Sequence, residues 1–497
     1  MKDETQRPNV LLIVSEDNGP ELGCYGDPYA RTPVLDRLAD EGVRFERAYV
    51  PYSVCSPSRA SFLTGLYPHQ NGQIGLATHK YAMYRHFPSI PSYLKTVGYR
   101  TGLIGKLHVN PEEAFPFEFW KIRSANFGKG QRDMRKYAAA AAEFFELAGD
   151  QPFFLSINYP DAHFPLHRQD HGLPNQPLTG KDVQPLPWMG ADSARLREFT
   201  ADYYNCLARL DSGVEMLLEE LKKAGKADNT IIIYIGDHGA QFSRGKCGVY
   251  EASLHIPMIA HWPEHIKPGA VRTELVSTVD ILPTFLEAAG VDVPSHLPGH
   301  SLLPMMQGER ASGHDVIFGV TTGSAPSIHE IQFSIRDDRY RLVYSPYHGR
   351  ENRFARRYLE HPDGHFRAGT DPAEIDAGGK QLQAAYDDYL RPPQYELYDL
   401  KKDPYEFNNL LAFGSLKRGA AEDPATKGVL KARDAMIAKL ATFQATTVDP
   451  MSDPVLLKEY DDEMMSITGL GYLTDEKHRW GYLDSFPAWI REGQKKR

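Results

Sequence analysis

Four short apolar runs in the first half of the chain end in residues able to do chemistry. "NVLLIVS" (9–15) is followed by Glu16 and Asp17, and "RTGLIGK" (100–106) delivers Lys106 with His108 just beyond. "PFFLSINY" (152–159) runs into Asp161 and His163. "NTIIIYIGDHG" (229–239) ends in Asp237 and His238, with Lys246 soon after. In an open parallel sheet, ligands gather beyond the carboxyl ends of the strands, so these groups are expected along one edge. Glu16, Asp17 and Asp237 would repel one another there unless a cation neutralised them. Hard oxygen donors suit Ca²⁺ or Mg²⁺, and His238 adds either a nitrogen ligand or only a hydrogen bond. The plainer alternative is that each acid caps the helix that follows it. Arg59, Lys106, His108, His163 and Lys246 are each unremarkable as single surface charges. Together, beside a cation, they describe a pocket for a small tetrahedral oxyanion, sulfate or phosphate.

The stretch "YSVCSPSRASFLTG" (52–65) adds a lone cysteine at the mouth of a short helix. Pro57 fits a first turn, where its missing N–H costs nothing, and Gly65 fits the helix stop. Cys55 at the positive end of that helix, with Arg59 one turn on, is a setting that favours an anionic nucleophile. The alternative is a buried cysteine before an ordinary helix. A thiolate is also a soft, poor ligand for a hard cation, so Cys55 and a Ca²⁺ site are chemically mismatched as they stand.

These groups need a scaffold to bring them together. A chain of 497 residues, 41% hydrophobic and 24% charged, is globular and long enough for two domains. Helices are expected at 32–42, 89–99, 133–149 and 193–225, alternating with the strands above and with "VRFERAYV" (43–50). That pattern predicts a mostly parallel sheet covered on both sides. Near 325 the texture changes. "IQFSIRDDRYRLVYS" (331–345) alternates like antiparallel strands, and "YELYDLKKDPYEFNNLL" (395–411) predicts a strand, a turn and a helix start. The domains are therefore placed at 1–325 and 326–497. Residues 346–394 predict a long polar excursion. Its Arg350, Arg353, Arg356 and Arg357 are either a solvated charged loop or a clamp on an anionic sugar.

A net charge of −9 argues against nucleic acid, and no run reaches the roughly 18–20 apolar residues that span a bilayer. The four cysteines (24, 55, 206, 247) fit no zinc motif or disulfide framework. The N-terminus lacks the features of a signal peptide, so the expectation is cytoplasmic, or periplasmic or secreted if a leader has been removed.

"CSPSR" (55–59) resembles the C-x-P-S-R signature of type I sulfatases, and the likeness extends through "CSPSRASFLTGLYPHQNG" (55–72). "SEDNG" (15–19), "GKLHV" (105–109), "DAHFP" (161–165), "GDHG" (236–239), "GKCGVYE" (245–251) and "ELYDLKKDPYEFNNL" (396–410) support it. The resemblance implies the alkaline phosphatase-like α/β fold: a large mixed, mostly parallel sheet sandwiched by helices, with a smaller C-terminal α+β domain. It implies that Cys55 is oxidised to formylglycine, which puts an oxygen where the mismatch demanded one. It also implies Ca²⁺ (Mg²⁺ or Mn²⁺ being alternatives) held by Glu16, Asp17, Asp237, His238 and that oxygen. Arg59 and Lys106 would hold the modified residue, and His163 and Lys246 would face the bridging atom of the substrate. His163 would be the general acid and His108 the base. Residues 55–72 and "IGKLHVNPEEAFPFEF" (104–119) are most similar to the heparan N-sulfatase (sulfamidase) branch. That implies a sulfated saccharide substrate, N-sulfoglucosamine first, and a formylglycine-generating or anaerobic sulfatase-maturing enzyme as partner. The rivals are an O-sulfate ester sulfatase, a phosphonate monoester or phosphodiester hydrolase of the same superfamily, and an inactive glycan-binding relative. Glu16 and His238 depart from the family's usual Asp and Asn.

Overall fold

The computed structural model describes residues 7–123, 127–361, 364–412, 424–467 and 478–495. Nine strands form the large sheet: β1 (Asn9–Ser15), β2 (Val43–Tyr49), β3 (Arg100–Gly105), β4 (Phe119–Lys121), β5 (Phe153–Tyr159), β6 (Thr230–Gly236), β7 (His255–His261), β8 (Ala270–Arg272) and β9 (Val276–Ser277). Their order is β4-β3-β5-β1-β6-β7-β2-β8, with β9 also pairing with β2. Every pairing is parallel except those of β7, which runs antiparallel to both β6 and β2. Strands β1, β5 and β6 are buried at every position, which is why they read as unbroken apolar runs.

The expected helices appear as Pro33–Asp40, Ile90–Lys95, Met134–Ala148 and Ala194–Lys223. The last starts where the Ser193 side chain accepts the Leu196 N–H, and it buries a stripe from Leu196 through Leu221. Midway along it the buried Asp211 carboxylate accepts the N–H groups of Val34 and Leu35, capping another helix at 3.1 and 2.8 Å.

A second, four-stranded antiparallel sheet follows: β10 (Ile317–Thr321), β11 (Gln332–Arg336), β12 (Tyr340–Tyr344) and β13 (Tyr395–Asp399). Its edge strand β10 lies ahead of residue 325, and the Val320 N–H donates to the Pro51 carbonyl at 3.0 Å. One continuous apolar cluster runs through both sheets.

Two expectations fail. Residues 346–394 are not an irregular excursion; they carry helices Arg353–Glu360, Pro372–Ala377 and Lys380–Leu390. Asn352 and Asp371 cap the first two, and Phe354 and Tyr358 sink into the core beneath the charged surface. No helix starts within 400–412 either. There the Asp403 carboxylate accepts the N–H groups of Phe407 and Asn408, and Glu406 adopts φ 60°, so the chain turns. The next described helix is Pro424–Thr447. The last segment returns to the first half of the molecule, where buried Trp480 donates to the His79 carbonyl at 2.9 Å.

Candidate active site

The strand order β3-β5-β1-β6 lays four consecutive carboxyl ends side by side, and the groups that follow them converge. The Glu16 N–H donates to the Asp161 carbonyl (3.0 Å), and the Asp237 N–H donates to the Ser15 carbonyl (2.9 Å). The Asp17 N–H donates to Asp237 Oδ1 at 2.9 Å. Lys106 follows Gly105, whose φ of 93° and close approach to Asn158 admit no side chain. A Cβ there would lie 2.2 Å from the Asn158 carbonyl oxygen. Cys55 opens helix Cys55–Thr64, all of whose residues are buried, and Gly65 ends it in the left-handed conformation at φ 67°.

Around Cys55 the charges interlock. Glu16 pairs with Arg59 through one oxygen and with Lys106 through the other, the latter at 2.9 Å. Arg59 also reaches Asp237 (3.2 Å), Asn158 Oδ1 (2.6 Å) and the Lys106 carbonyl (3.1 Å). Lys246 Nζ lies 2.9 and 3.0 Å from the two Asp17 oxygens. Burial alone would raise the Glu16 carboxyl, but Lys106 and Arg59 overcome it and hold the group well below the usual range. Burial pushes Asp17 up, a shift that Lys246 and His238 only partly counter. Burial disfavours an ammonium at Lys246, yet Asp17 more than offsets that and keeps it charged.

The Cys55 thiol corrects one expectation. A helix start beside cations was expected to favour the thiolate. Burial outweighs Lys106 and Lys246, and with Glu16 and Asp237 adding to it the thiol is pushed up to about 12. An unmodified Cys55 is therefore a protonated, inert group at neutral pH.

The donor set fits a cation. His238 Nδ1 lies 3.0 Å from the Gly239 carbonyl, which turns Nε2 into the cluster. Nε2 lies near Asp17 Oδ1 (3.3 Å), Asp237 Oδ1 (3.6 Å) and Cys55 Sγ (3.4 Å). Two carboxylates and an imidazole nitrogen this close are a donor set for a hard cation, a place beside which Lys246 and Arg59 stand in this structure. Candidate ligand atoms fall into two groups that share Cys55: Glu16, Asp17, Cys55 and His163, and Cys55, Asp237 and His238. His163, expected as an acid rather than a ligand, thus also stands within ligand distance.

The two other histidines of the site are kept neutral. Burial lowers both His163 and His108 well below the usual value, with Lys246 and Lys106 adding to it at His163 and Lys106 at His108. His163 Nδ1 faces the Phe164 carbonyl at 2.6 Å, which leaves Nε2 unprotonated. Both nitrogens of His108 are buried without a partner among the described residues. Asp17 (φ 49°) and His108 (φ 57°) hold left-handed backbone, which is uncommon outside glycine.

Phe127, Arg132 and Arg209 are contributors that were not legible beforehand. Phe127 stacks on His163 at 3.8 Å, and Lys106 Nζ lies 5.1 Å from its ring. Asp161, fully buried, is clamped by Arg132 and Arg209, also fully buried, and so fixes the turn that bears His163. The helical segment after 350 does reach the site. Tyr358 donates to the Lys246 carbonyl (3.3 Å), and the His365 ring lies 5.8 Å from that of His163. Its arginines are largely spent elsewhere, since Arg350 forms a bidentate pair with Asp461 and Arg356 pairs with Glu351.

The profile of the Sulfatase family matches residues 8–291. The chain belongs to the sulfatase family. A second profile, "N-sulphoglucosamine sulphohydrolase, C-terminal", matches residues 236–355 of this family member. It is 30% identical to human N-sulphoglucosamine sulphohydrolase over 474 residues, covering 89% of this chain and 91% of that protein. Among solved structures it is similar in fold to one determined with its substrate D-glucosamine-2-N,6-O-disulfate. That likeness has a TM-score of 0.63 and 20% identity, over 89% of this chain and 99% of the other. It is equally similar to a phosphonate monoester hydrolase from Silicibacter pomeroyi, with a TM-score of 0.64 and 20% identity, over 89% and 96% of the two chains. The family typically works with a formylglycine and a metal, and the buried acidic cluster around Cys55 is where both would lie here.

Proposed function

We propose that this protein removes the N-linked sulfate from a terminal N-sulfoglucosamine of a glycosaminoglycan-type chain. The reading is carried by the relation to human N-sulphoglucosamine sulphohydrolase, which covers 89% of this chain and 91% of that protein. The match to that enzyme's C-terminal profile supports it. In this reading a maturing enzyme converts Cys55 to formylglycine, and Glu16, Asp17, Asp237 and His238 hold a hard divalent cation, Ca²⁺ first. When present, the hydrated aldehyde supplies a hydroxyl nucleophile and the cation supplies Lewis acidity.

The chain's own residues do the rest. Arg59 and Lys106 orient the residue at 55 and offset charge developing on the sulfo group. Lys246 turns from Asp17 toward the substrate's oxygens. His108, neutral and with both nitrogens free of partners among the described residues, takes the proton from the hydroxyl that remains. The S–N bond breaks only if the departing nitrogen is protonated, and His163 supplies that proton from Nε2. At rest the two lysines and burial keep His163 neutral. The negative sulfo group entering between those lysines counters them and raises His163 toward protonation, so the acid is charged when substrate is present.

The test compares kcat/KM for N-sulfoglucosamine, glucosamine 6-O-sulfate, an aryl sulfate and a phosphonate monoester, with mass spectrometry of the peptide bearing residue 55. N-sulfoglucosamine is expected to be the best substrate, with formylglycine in active protein. His163→Ala is expected to harm sulfamate cleavage far more than aryl sulfate cleavage, whose leaving group needs no proton. Preference for the 6-O-sulfate or the phosphonate, or full activity with intact cysteine, would overturn the assignment.

A further inference from the structure

One aromatic side chain at the candidate active site is not part of the core. Phe127 is half-buried, and among the described residues the continuous apolar cluster does not include it. Its ring meets polar groups instead. It lies flat on the His163 imidazole, with ring centres 3.8 Å apart and planes 8° from parallel. Lys106 Nζ stands 5.1 Å from the centre of the same ring. Filling a core therefore does not account for this side chain.

The backbone holds the stack in register. The Phe127 carbonyl accepts from His167 Nε2 (3.0 Å) and from Arg132 Nη2 (3.1 Å). The same Arg132 nitrogen donates to the carbonyls of His163 and Pro165, both at 2.7 Å. Arg132 is fully buried, and its Nη1 is paired with Asp161. One guanidinium thus ties the segment that bears Phe127 to the turn that bears His163, and a shared anchor sets the spacing of the two rings.

The imidazole depends on that support. Its Nδ1 lies 2.6 Å from the Phe164 carbonyl, a contact to the next residue in the chain. Such a contact fixes where Nδ1 sits but leaves the ring able to tilt about it. A ring nitrogen of His163 also stands within 4.8 Å of candidate ligand atoms of Glu16, Asp17 and Cys55. A tilt therefore moves Nε2 relative to the reacting centre. The His365 ring, 5.8 Å away and at 80°, makes an edge contact and gives no flat support. Phe127 supplies the flat surface that closes one face of the imidazole.

We propose that Phe127 is a positioning residue for the reaction: its ring fixes the plane of the His163 imidazole and so aims Nε2 at the departing atom of the substrate. The inference rests on the reading that His163 hands a proton to that atom. It makes Phe127 a determinant of leaving-group preference. A sulfamate nitrogen needs a proton delivered along one direction, whereas an aryl oxide leaves without one. A loosened His163 therefore harms the sulfamate reaction more.

The experiment measures kcat and KM for N-sulfoglucosamine and for an aryl sulfate in formylglycine-bearing protein. The proteins are the parent, Phe127→Leu, Phe127→Tyr, His163→Ala and the double variant Phe127→Leu/His163→Ala. Leucine keeps an apolar side chain without a flat face, and tyrosine keeps the face. Phe127→Leu is expected to lower kcat for the sulfamate about tenfold to hundredfold, the loss that follows from an imprecisely placed catalytic group. KM is expected to change little, and the loss on the aryl sulfate to be smaller. Phe127→Tyr is expected to restore most of the sulfamate rate. In the double variant, leucine is expected to add nothing to the loss caused by His163→Ala. In protein carrying isotope-labelled histidine, the His163 ring-proton signal is identified by its absence in His163→Ala. Shielding by the stacked ring is expected to place it upfield in the parent and in Phe127→Tyr, and Phe127→Leu to move it downfield. A thermal melt checks folding, and Phe127→Met takes the place of Phe127→Leu should that variant not fold. A rise in KM with kcat unchanged, equal losses on the two substrates, additive losses in the double variant, or a His163 signal indifferent to residue 127 overturns the proposal. A parent that cleaves no sulfamate, or a His163→Ala protein that cleaves it fully, overturns the activity or acid assignment and the positioning role with it. A sensitive His163 with an indifferent Phe127 overturns the positioning role alone.

Discussion

Replacing Lys246 by methionine tests whether Asp17 is shared between an ammonium and a metal ion. The change removes a charge 2.9 and 3.0 Å from the two Asp17 oxygens and keeps an unbranched stem to fill the space. Asp17 is fully buried, and burial already pushes its carboxyl up with Lys246 in place. Breaking a buried pair by deleting one partner costs about 3–5 kcal/mol. Unfolding entropy of roughly 2.1 cal/mol/K per residue comes to about 1 kcal/mol/K over 497 residues. The metal-free variant should therefore melt about 3–5 °C below the parent. A cation at 100 times its Kd stabilises either protein by about 2.7 kcal/mol. In the variant its affinity should be higher, because no ammonium has to be displaced from Asp17. The assay is scanning calorimetry of both proteins in EDTA and in Ca²⁺, with the Ca²⁺-induced rise expected to be several degrees larger in Lys246→Met. Equal rises, or a metal-free variant that melts with the parent, would refute the shared position.

Two further changes probe the surroundings. Asp161→Asn leaves Arg132 and Arg209 buried without their carboxylate, and a loss of about 3–5 kcal/mol is expected in urea denaturation. Activity should fall with it, because the clamp fixes the turn that bears His163; an unchanged midpoint would contradict the clamp. Glu330 is fully buried with neither oxygen partnered among the described residues, and burial pushes its carboxyl from 4.5 to about 8 against the opposing pull of Arg350 and Arg353. The native state thus holds a proton that the unfolded chain releases above 4.5. That contribution is complete below 4.5 and is lost as pH rises to about 8, at up to about 1.4 kcal/mol per pH unit. Glu330→Gln should flatten the decline in stability measured between pH 5 and 8. Parallel slopes in the two proteins would show that Glu330 does not carry it.

Strands β1, β3, β5 and β6 and the groups at their ends were legible because a sheet buried on both faces writes itself as unbroken apolar runs, and β2 was read beside them, whereas β4, β7, β8 and β9 were not read from the sequence. Polar residues that stop such a run must lie at its carboxyl edge, so Glu16, Asp17, Lys106, Asp237 and their neighbours could be placed together from order alone. The helix at Cys55–Thr64 was legible from Pro57 and Gly65, which are local signals. What the sequence could not carry depends on contacts between distant residues. Arg132 and Arg209 are separated from each other by more than seventy positions and meet at Asp161 only in the folded chain. The protonation of the Cys55 thiol depends on how completely the fold excludes water around it, and helix position pointed the other way. The helices within 346–394 hid behind a polar composition because their charged faces outnumber the few apolar residues that anchor them. Periodicity and end signals belong to neighbouring residues and can be read along the chain. Burial and charge compensation arise from packing segments hundreds of residues apart, and only the tertiary structure decides them.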